Sequence, residues 1–398
     1  MKRLGIFLLM LLLLSGCSEN MAPNGQGQSG KTAVDSAKTQ VPTESADVAK
    51  IVLNTMSLQE QVAQLFFVKP EALSAQTVTK MDETMKEALG TYPVGGIILF
   101  ANNIVSRQQV LDFNQALQEA APTPLFLGVD EEGGRVARIT SQSAMGYEKL
   151  PRALNVQTAE QAGEIGVRLG TILTELGFNL DFAPDADVFT NPQNTVIGDR
   201  AFSRTPEVAA EFVSAQVKGL HTKNIATAIK HFPGHGDTTV DSHKALPSVS
   251  HDLERLRQTE WVPFRAGIAA GTDMVMVGHI AVPNVTGTDE PSTLSETIVQ
   301  DCLREELGFS GVIITDALDM GAVVEQYGAS DAAVRALQAG CDMLLMPKNF
   351  HAAYEGVLEA VQDGRISQKR LSDAVLHILQ AKAARGLLDR PKIFPAGR

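Results

Sequence analysis

Eight short apolar runs punctuate the chain: Leu65–Val68, Gly95–Phe100, Pro124–Val129, Phe178–Ala183, Ala226–Lys230, Asp273–Gly278, Val312–Thr315 and Asp342–Met346. Each is nearly continuous in apolar character, as in strands buried on both faces of a parallel sheet. Helical periodicity fills the gaps. In Glu160–Leu176 the apolar positions Ala162, Ile165, Leu169, Ile172, Leu173 and Leu176 fall at three- and four-residue steps, and Gly177 supplies a stop. Similar spacing predicts helices at Val110–Glu119, Pro206–His221, Leu253–Ala270, Ser295–Leu307, Ala329–Ala339, Ala352–Asp363 and Ser367–Ala384. Eight strands alternating with helices predict an α/β fold, a (β/α)8 TIM barrel forming one catalytic domain over residues 51–390, with 391–398 as a C-terminal tail.

Charge narrows the partners. The 398 residues carry 34 Lys plus Arg against 46 Asp plus Glu, a formal net charge of −12. Neutralising phosphates needs clustered cations, so this balance argues against nucleic acid as a partner. Three cysteines are too few for a disulfide scaffold. Cys302 and Cys341 sit in apolar surroundings and read as buried free thiols, with a disulfide between them left open.

The N-terminus reads as an export signal. Lys2-Arg3 precedes an apolar run from Ile6 to Leu14, too short for the ~20 residues of a spanning helix. Leu14-Ser15-Gly16-Cys17 resembles the lipobox of bacterial lipoproteins, which implies cleavage after residue 16 and lipidation of Cys17. A plain signal peptide with an incidental Cys is the alternative. Between Ser18 and Lys50 there is no Leu, Ile, Phe, Tyr or Trp, so residues 17–50 are expected to form a disordered tether. The expected location is extracytoplasmic, lipid-anchored to a bacterial membrane.

Ionisable residues gather where the strands end. Asp130 closes the third run, Asp185 follows the fourth, Lys230-His231 closes the fifth, His279 follows the sixth and Asp316 the seventh. Barrel active sites gather at those carboxyl ends, so this placement favours an enzyme. The densest segment, Lys230 to Thr238 with Asp241-Ser242-His243 after it, admits three readings. A metal site would use His231 and His235 with Asp237, Asp241 or His243, although Pro233 and two glycines break the helix that a paired-His motif needs. A structural loop is the second. In the third, Asp241 orients His243 and raises its charged fraction, making an acid/base dyad. Asp316 follows a buried strand and would be ionised at neutral pH, as a carboxylate nucleophile must be; a helix N-cap is its plainer alternative. The acidic, glycine and arginine residues of 128–138 suit a ligand rich in hydroxyls, and Arg200 adds a donor. Gly133-Gly134 is too short for a phosphate-binding fingerprint.

Together these segments resemble glycoside hydrolase family 3, in its β-N-acetylglucosaminidase branch. The resemblance rests on DEEGGRVAR at 130–138, LDFAP at 180–184, IGDRAFS at 197–203, KHFPGHGDT at 230–238, DSH at 241–243, GHI at 278–280, PSTLS at 291–295 and TDAL at 315–318. It implies a barrel, with Asp316 as nucleophile, His243 as acid/base and Asp241 as its dyad partner. Asp130, Arg138, Arg200, Lys230 and His231 would bind the sugar. The implied reaction is retaining, exo-acting release of terminal β-linked N-acetylglucosamine from chito-oligosaccharides or peptidoglycan fragments, by a monomer needing no metal or organic cofactor. Glu131 stands where many members carry Gln, which implies an extra charge near the sugar. Alternatives are a β-N-acetylglucosaminide phosphorylase, a β-glucosidase and a non-catalytic sugar-binding lipoprotein.

Overall fold

The computed structural model describes residues 43–74, 76, 78–239 and 246–388, all within one compact unit, Ala37–Arg398. The signal peptide, Cys17, most of the tether and the C-terminal tail therefore lie outside the described residues, as do Asp241 and His243.

A strand meets each of the eight predicted runs, and β5 extends two residues past its run: β1 Phe66–Val68, β2 Gly96–Ile98, β3 Phe126–Val129, β4 Leu180–Asp181, β5 Ala226–Phe232, β6 Met274–Val277, β7 Val312–Thr315 and β8 Leu344–Leu345. They pair in parallel and in chain order, and β8 returns to β1 through Phe66 opposite Leu344. A parallel bridge between Ile314 and Met343 joins β7 to β8 and closes the ring. The result is the expected (β/α)8 barrel. Every residue of these strands is buried, which is why their sequences are mostly apolar; the exceptions are Asp181, Thr227, Lys230, His231 and Thr315.

Aromatic rings fill the barrel, and glycine makes room for them. Phe67 and Phe182 meet edge to face with centroids 5.1 Å apart. A Cβ on Gly128 would lie 2.8 Å from the Phe182 ring and 3.0 Å from that of Phe67, so a side chain there would displace both. Outside, helices bury their apolar stripes against the sheet. Ala159–Glu175 buries Ala162, Leu169, Ile172 and Leu173, and the Thr158 side chain caps it by accepting from the Gln161 N–H at 3.2 Å.

Three boundaries differ from the sequence reading. The described residues open with a helix, Thr43–Thr55, whose first eight residues fall in the stretch expected to be tether. Ala49 and Val52 bury against the final helix, Gln368–Ala384. A stripe of Ala and Val suffices for that contact, and it leaves little mark in composition. The helix expected over Leu253–Ala270 is two, Leu253–Gln258 and Trp261–Ala269, broken at Thr259. Thr297–Glu306 winds as a π-helix. Cys302 and Cys341 are both buried and free. Among the described residues no helix is long and apolar enough to cross a membrane.

A buried lysine lies away from the site. Lys382 on the final helix is fully buried, donates to Gln64 Oε1 at 2.8 Å and lies 5.6 Å from the centre of the Phe126 ring. Burial lowers its pKa to about 7. Between pH 7 and the ordinary lysine range near 10.4 the unfolded chain thus binds more protons, and stability rises with pH. Lys382→Met is expected to remove that slope and to be the more stable form at pH 6. Urea unfolding at pH 6, 8 and 10 checks this, and equal slopes in both proteins would refute it.

Candidate active site

Six of the predicted site residues converge on one cavity of about 200 Å³ at the carboxyl ends of the strands: Asp130, Arg138, Arg200, Lys230, His231 and Asp316. Asp130 directly follows β3, Lys230 and His231 are among the last three residues of β5, and Asp316 directly follows β7. Strand ends hold side chains more firmly than free loops do, which suits groups that must meet one ligand.

Asp316 is fixed from both sides of its backbone. Its N–H donates to Val277 O at 2.8 Å, and its Oδ1 accepts from the Ala317 N–H at 2.8 Å. The short helix after it is capped at Met320, so the N-cap alternative for Asp316 does not hold. Removal from water works to raise its pKa. The neighbouring His279 and His231, the Ala317 N–H and Lys230 outweigh that and hold the carboxyl below its ordinary value. His279 is itself buried, with Nε2 3.0 Å from Ala317 O and Nδ1 2.8 Å from Thr293 Oγ1. A carbonyl only accepts, so Nε2 carries the proton and the ring fastens the peptide after Asp316.

Next to it runs an alternating lattice of charge. Lys230 Nζ lies 2.6 Å from both Asp130 Oδ1 and Glu132 Oε1. Arg200 grips Glu132 through Nε at 2.9 Å and Nη2 at 2.8 Å, a two-pronged pair. Its Nη2 also lies 3.6 Å from Asp185 and 3.3 Å from His231 Nε2. Burial opposes the charge on Glu132, yet Arg200 and Lys230 bring its pKa well down. Burial likewise opposes the charge on Lys230, and Asp130 and Glu132 prevail and raise its pKa. Arg138 Nη2 lies 3.6 Å from Asp130 Oδ2, and its Nε has no hydrogen-bond partner among the described residues.

Beneath the lattice, His231 Nδ1 lies 2.7 Å from Asp187 Oδ2, while Asp187 Oδ1 accepts from the His235 N–H. Burial would lower the His231 pKa; Asp187 raises it past that effect, against the pull of Arg200. Asp185 goes the other way, to about 7, because burial and the adjacent Asp187 both disfavour its charge. Asp185, Asp187 and His231 are close enough to share a metal ion. The Arg200 guanidinium, within 3.6 Å of Asp185, already supplies positive charge there, and His231 Nδ1 is committed to Asp187. The rings of His231 and His235 stand 5.7 Å apart, with His235 Nδ1 2.6 Å from Thr238 Oγ1, while Asp241 and His243, which the metal reading also used, lie outside the described residues.

Glu131 corrects the expectation of an extra charge at the sugar. It is fully buried, and its carboxylate accepts from the N–H groups of Arg138, Ile139 and Thr140 at 2.7, 2.7 and 3.0 Å and from Thr140 Oγ1. It organises the loop that carries Arg138. That loop is a small hairpin, Glu131–Gly133 against Val136–Ala137, whose turn places Gly133 and Gly134 at φ of 88° and 57°, where glycine is favoured. The sequence singles out Glu132 only as one of the acidic residues of 128–138, and Asp187 not at all. Glu132 had a signal, three acids in a row before the glycines; Asp187 had only its place two residues past Asp185.

A family model, the glycosyl hydrolase family 3 N terminal domain, matches residues 57–381, and the chain belongs to this family. Beta-hexosaminidase A of Pseudoalteromonas piscicida is 34% identical over 372 residues, covering 85% of this chain and 62% of the relative. A beta-hexosaminidase of Stenotrophomonas maltophilia strain K279a is 40% identical over 262 residues, 64% of this chain and 76% of the relative. Among solved structures, the family 3 beta-N-acetylglucosaminidase of Paenibacillus sp. str. FPU-7 superposes with a TM-score of 0.79 at 37% identity, covering 84% of this chain and 63% of that one. This chain thus spans less than two thirds of the Pseudoalteromonas and Paenibacillus proteins.

Proposed function

We propose that the protein is a retaining exo-β-N-acetylglucosaminidase acting on chito-oligosaccharides or peptidoglycan fragments. The observation that carries this reading is Asp316, an ionised carboxylate locked at the barrel mouth beside a lattice able to hold hydroxyl groups. Its Oδ1 is occupied by the Ala317 N–H, so Oδ2 is the atom that attacks the sugar C1. The C1–O bond breaks as the glycosyl ester forms, and His243 gives its proton to the departing oxygen. Water then attacks C1, His243 takes back a proton, and the Asp316 carboxylate leaves. Lys230, Arg200, Arg138, His231 and Asp130 hold the ring during both steps. The relatives named beta-hexosaminidase, and the DSH segment at 241–243, support the acetamido sugar over glucose.

The test is kcat/KM on an aryl β-N-acetylglucosaminide and on the matching β-glucoside, with and without phosphate. Preference for the acetamido sugar with no phosphate effect is expected; sugar 1-phosphate as product would make the enzyme a phosphorylase, and binding without turnover a sugar-binding protein. His243→Ala is expected to slow natural oligosaccharides far more than aryl glycosides with good leaving groups, which need little protonation. Equal loss on both would remove His243 from the acid role. We also propose a lipid anchor at Cys17 on a monomeric enzyme. Radiolabelled palmitate should enter the wild-type protein and not Cys17→Ser.

A further inference from the structure

We propose that the site recognises the leaving group through a second pocket that takes an uncharged pyranose ring, so that a neutral disaccharide is cleaved in preference to one bearing a carboxylate beside the scissile bond. This rests on the glycosidase reading above and adds what lies on the far side of the bond.

The pocket has a volume of about 400 Å³ and is lined by Lys69, Glu71, Phe100, Asn102 and Met346. Phe100 and Met346 also line the catalytic cavity, so the two adjoin. The catalytic cavity, at about 200 Å³, suits one ring, and its neighbour has at least the room for another. Lys69 follows β1, Asn102 follows β2 and Met346 follows β8, which puts the pocket on the same rim as Asp316.

Its chemistry favours a neutral ring rich in hydroxyls. Phe100 and Met346 offer apolar surface for a sugar face. Met346 sits at a φ of 49°, rare for a residue other than glycine, and its N–H is tied to Phe67 O at 2.7 Å. The rim is polar. Glu71 Oε1 accepts from Asn102 Nδ2 at 3.2 Å and Asn103 Nδ2 at 2.8 Å. Lys69 Nζ is 2.7 Å from Asp319 Oδ2, an acid that itself lines the catalytic cavity. The one lysine is thus matched by Asp319, and Glu71 leaves the pocket with an acidic excess. A carboxylate on the leaving group would meet Glu71 with the one cation of the pocket lining already paired to Asp319, whereas hydroxyl and acetamido groups find donors and acceptors.

The experiment compares kcat/KM on N,N′-diacetylchitobiose, on a disaccharide whose reducing-end sugar carries a lactyl carboxylate, and on an aryl N-acetylglucosaminide. The wild type is expected to favour the neutral disaccharide over the acidic one by at least tenfold. Asn102→Ala and Lys69→Met are each expected to lower the ratio of chitobiose to aryl kcat/KM by roughly five- to thirtyfold, the worth of one or two hydrogen bonds. Turnover of the aryl substrate shows that each variant is folded and that the hydrolase reading stands. An unchanged ratio in both variants overturns the pocket as the leaving-group site, and faster cleavage of the acidic disaccharide overturns its preference for a neutral ring. Absence of aryl turnover in the wild type would instead sink the glycosidase reading.

Discussion

Asp316→Ala is expected to cut kcat on an aryl β-N-acetylglucosaminide by on the order of 10⁴- to 10⁶-fold while leaving the protein folded and no less stable. The carboxylate stands partly desolvated, held charged by His279, His231 and Lys230. Removing it takes away a charge whose partners are themselves mostly satisfied elsewhere, so thermal unfolding should show little loss. Asp316→Asn should be nearly as inactive, since an amide keeps the shape and loses the nucleophile. A residual rate within a hundredfold of wild type in either variant would assign the nucleophile to another group. An added external nucleophile such as azide restoring turnover in Asp316→Ala, with inverted product, would tie the loss to the covalent step.

Lys230→Met is expected to destabilise the protein by about 3–5 kcal/mol at pH 7, because it strands two carboxylates that share one ammonium. Asp130 and Glu132 both lie 2.6 Å from Nζ, and Glu132 is left with Arg200 alone. The pH dependence has a definite sign. In the wild type the Glu132 pKa is depressed, so its contribution is present above the ordinary glutamate value near 4.3 and fades as pH falls through the folded one. In the variant the same carboxylate loses one of its two cations, and protonation relieves the strain. The gap between the proteins should therefore narrow from pH 7 to pH 4. Urea unfolding at the two pH values measures it; a gap below 1 kcal/mol at pH 7, or one that widens on acidification, would contradict the lattice as described.

How much of this was legible in the sequence depends on how local the physics is. Parallel strands buried on both faces announce themselves, and each of the eight runs meets its strand. That Asp316, Lys230, His231, Asp130, Arg138 and Arg200 meet in one cavity was legible because their motifs sit at strand ends or in loops beside them. Glu131 misled: a carboxylate next to a binding segment looks like part of it, and only the fold reveals that four donors turn it inward. Asp187 was passed over because its role depends on meeting His231 across 44 positions of chain. The helix Thr43–Thr55 escaped because what makes it stable is the final helix, more than 300 residues away.

The alternating lattice of Asp130, Lys230, Glu132, Arg200 and Asp185 has a consequence for how such a site changes over time. Each interior member answers to a neighbour of opposite sign, so a single exchange of charge leaves a buried ion unmatched, and only paired exchanges avoid that. Drift in substrate preference then meets a barrier at the centre of the cavity that it does not meet at Lys69 or Asn102, where water screens the charges. A lineage built on this barrel is free to vary what hangs from the sugar long before it can vary the sugar.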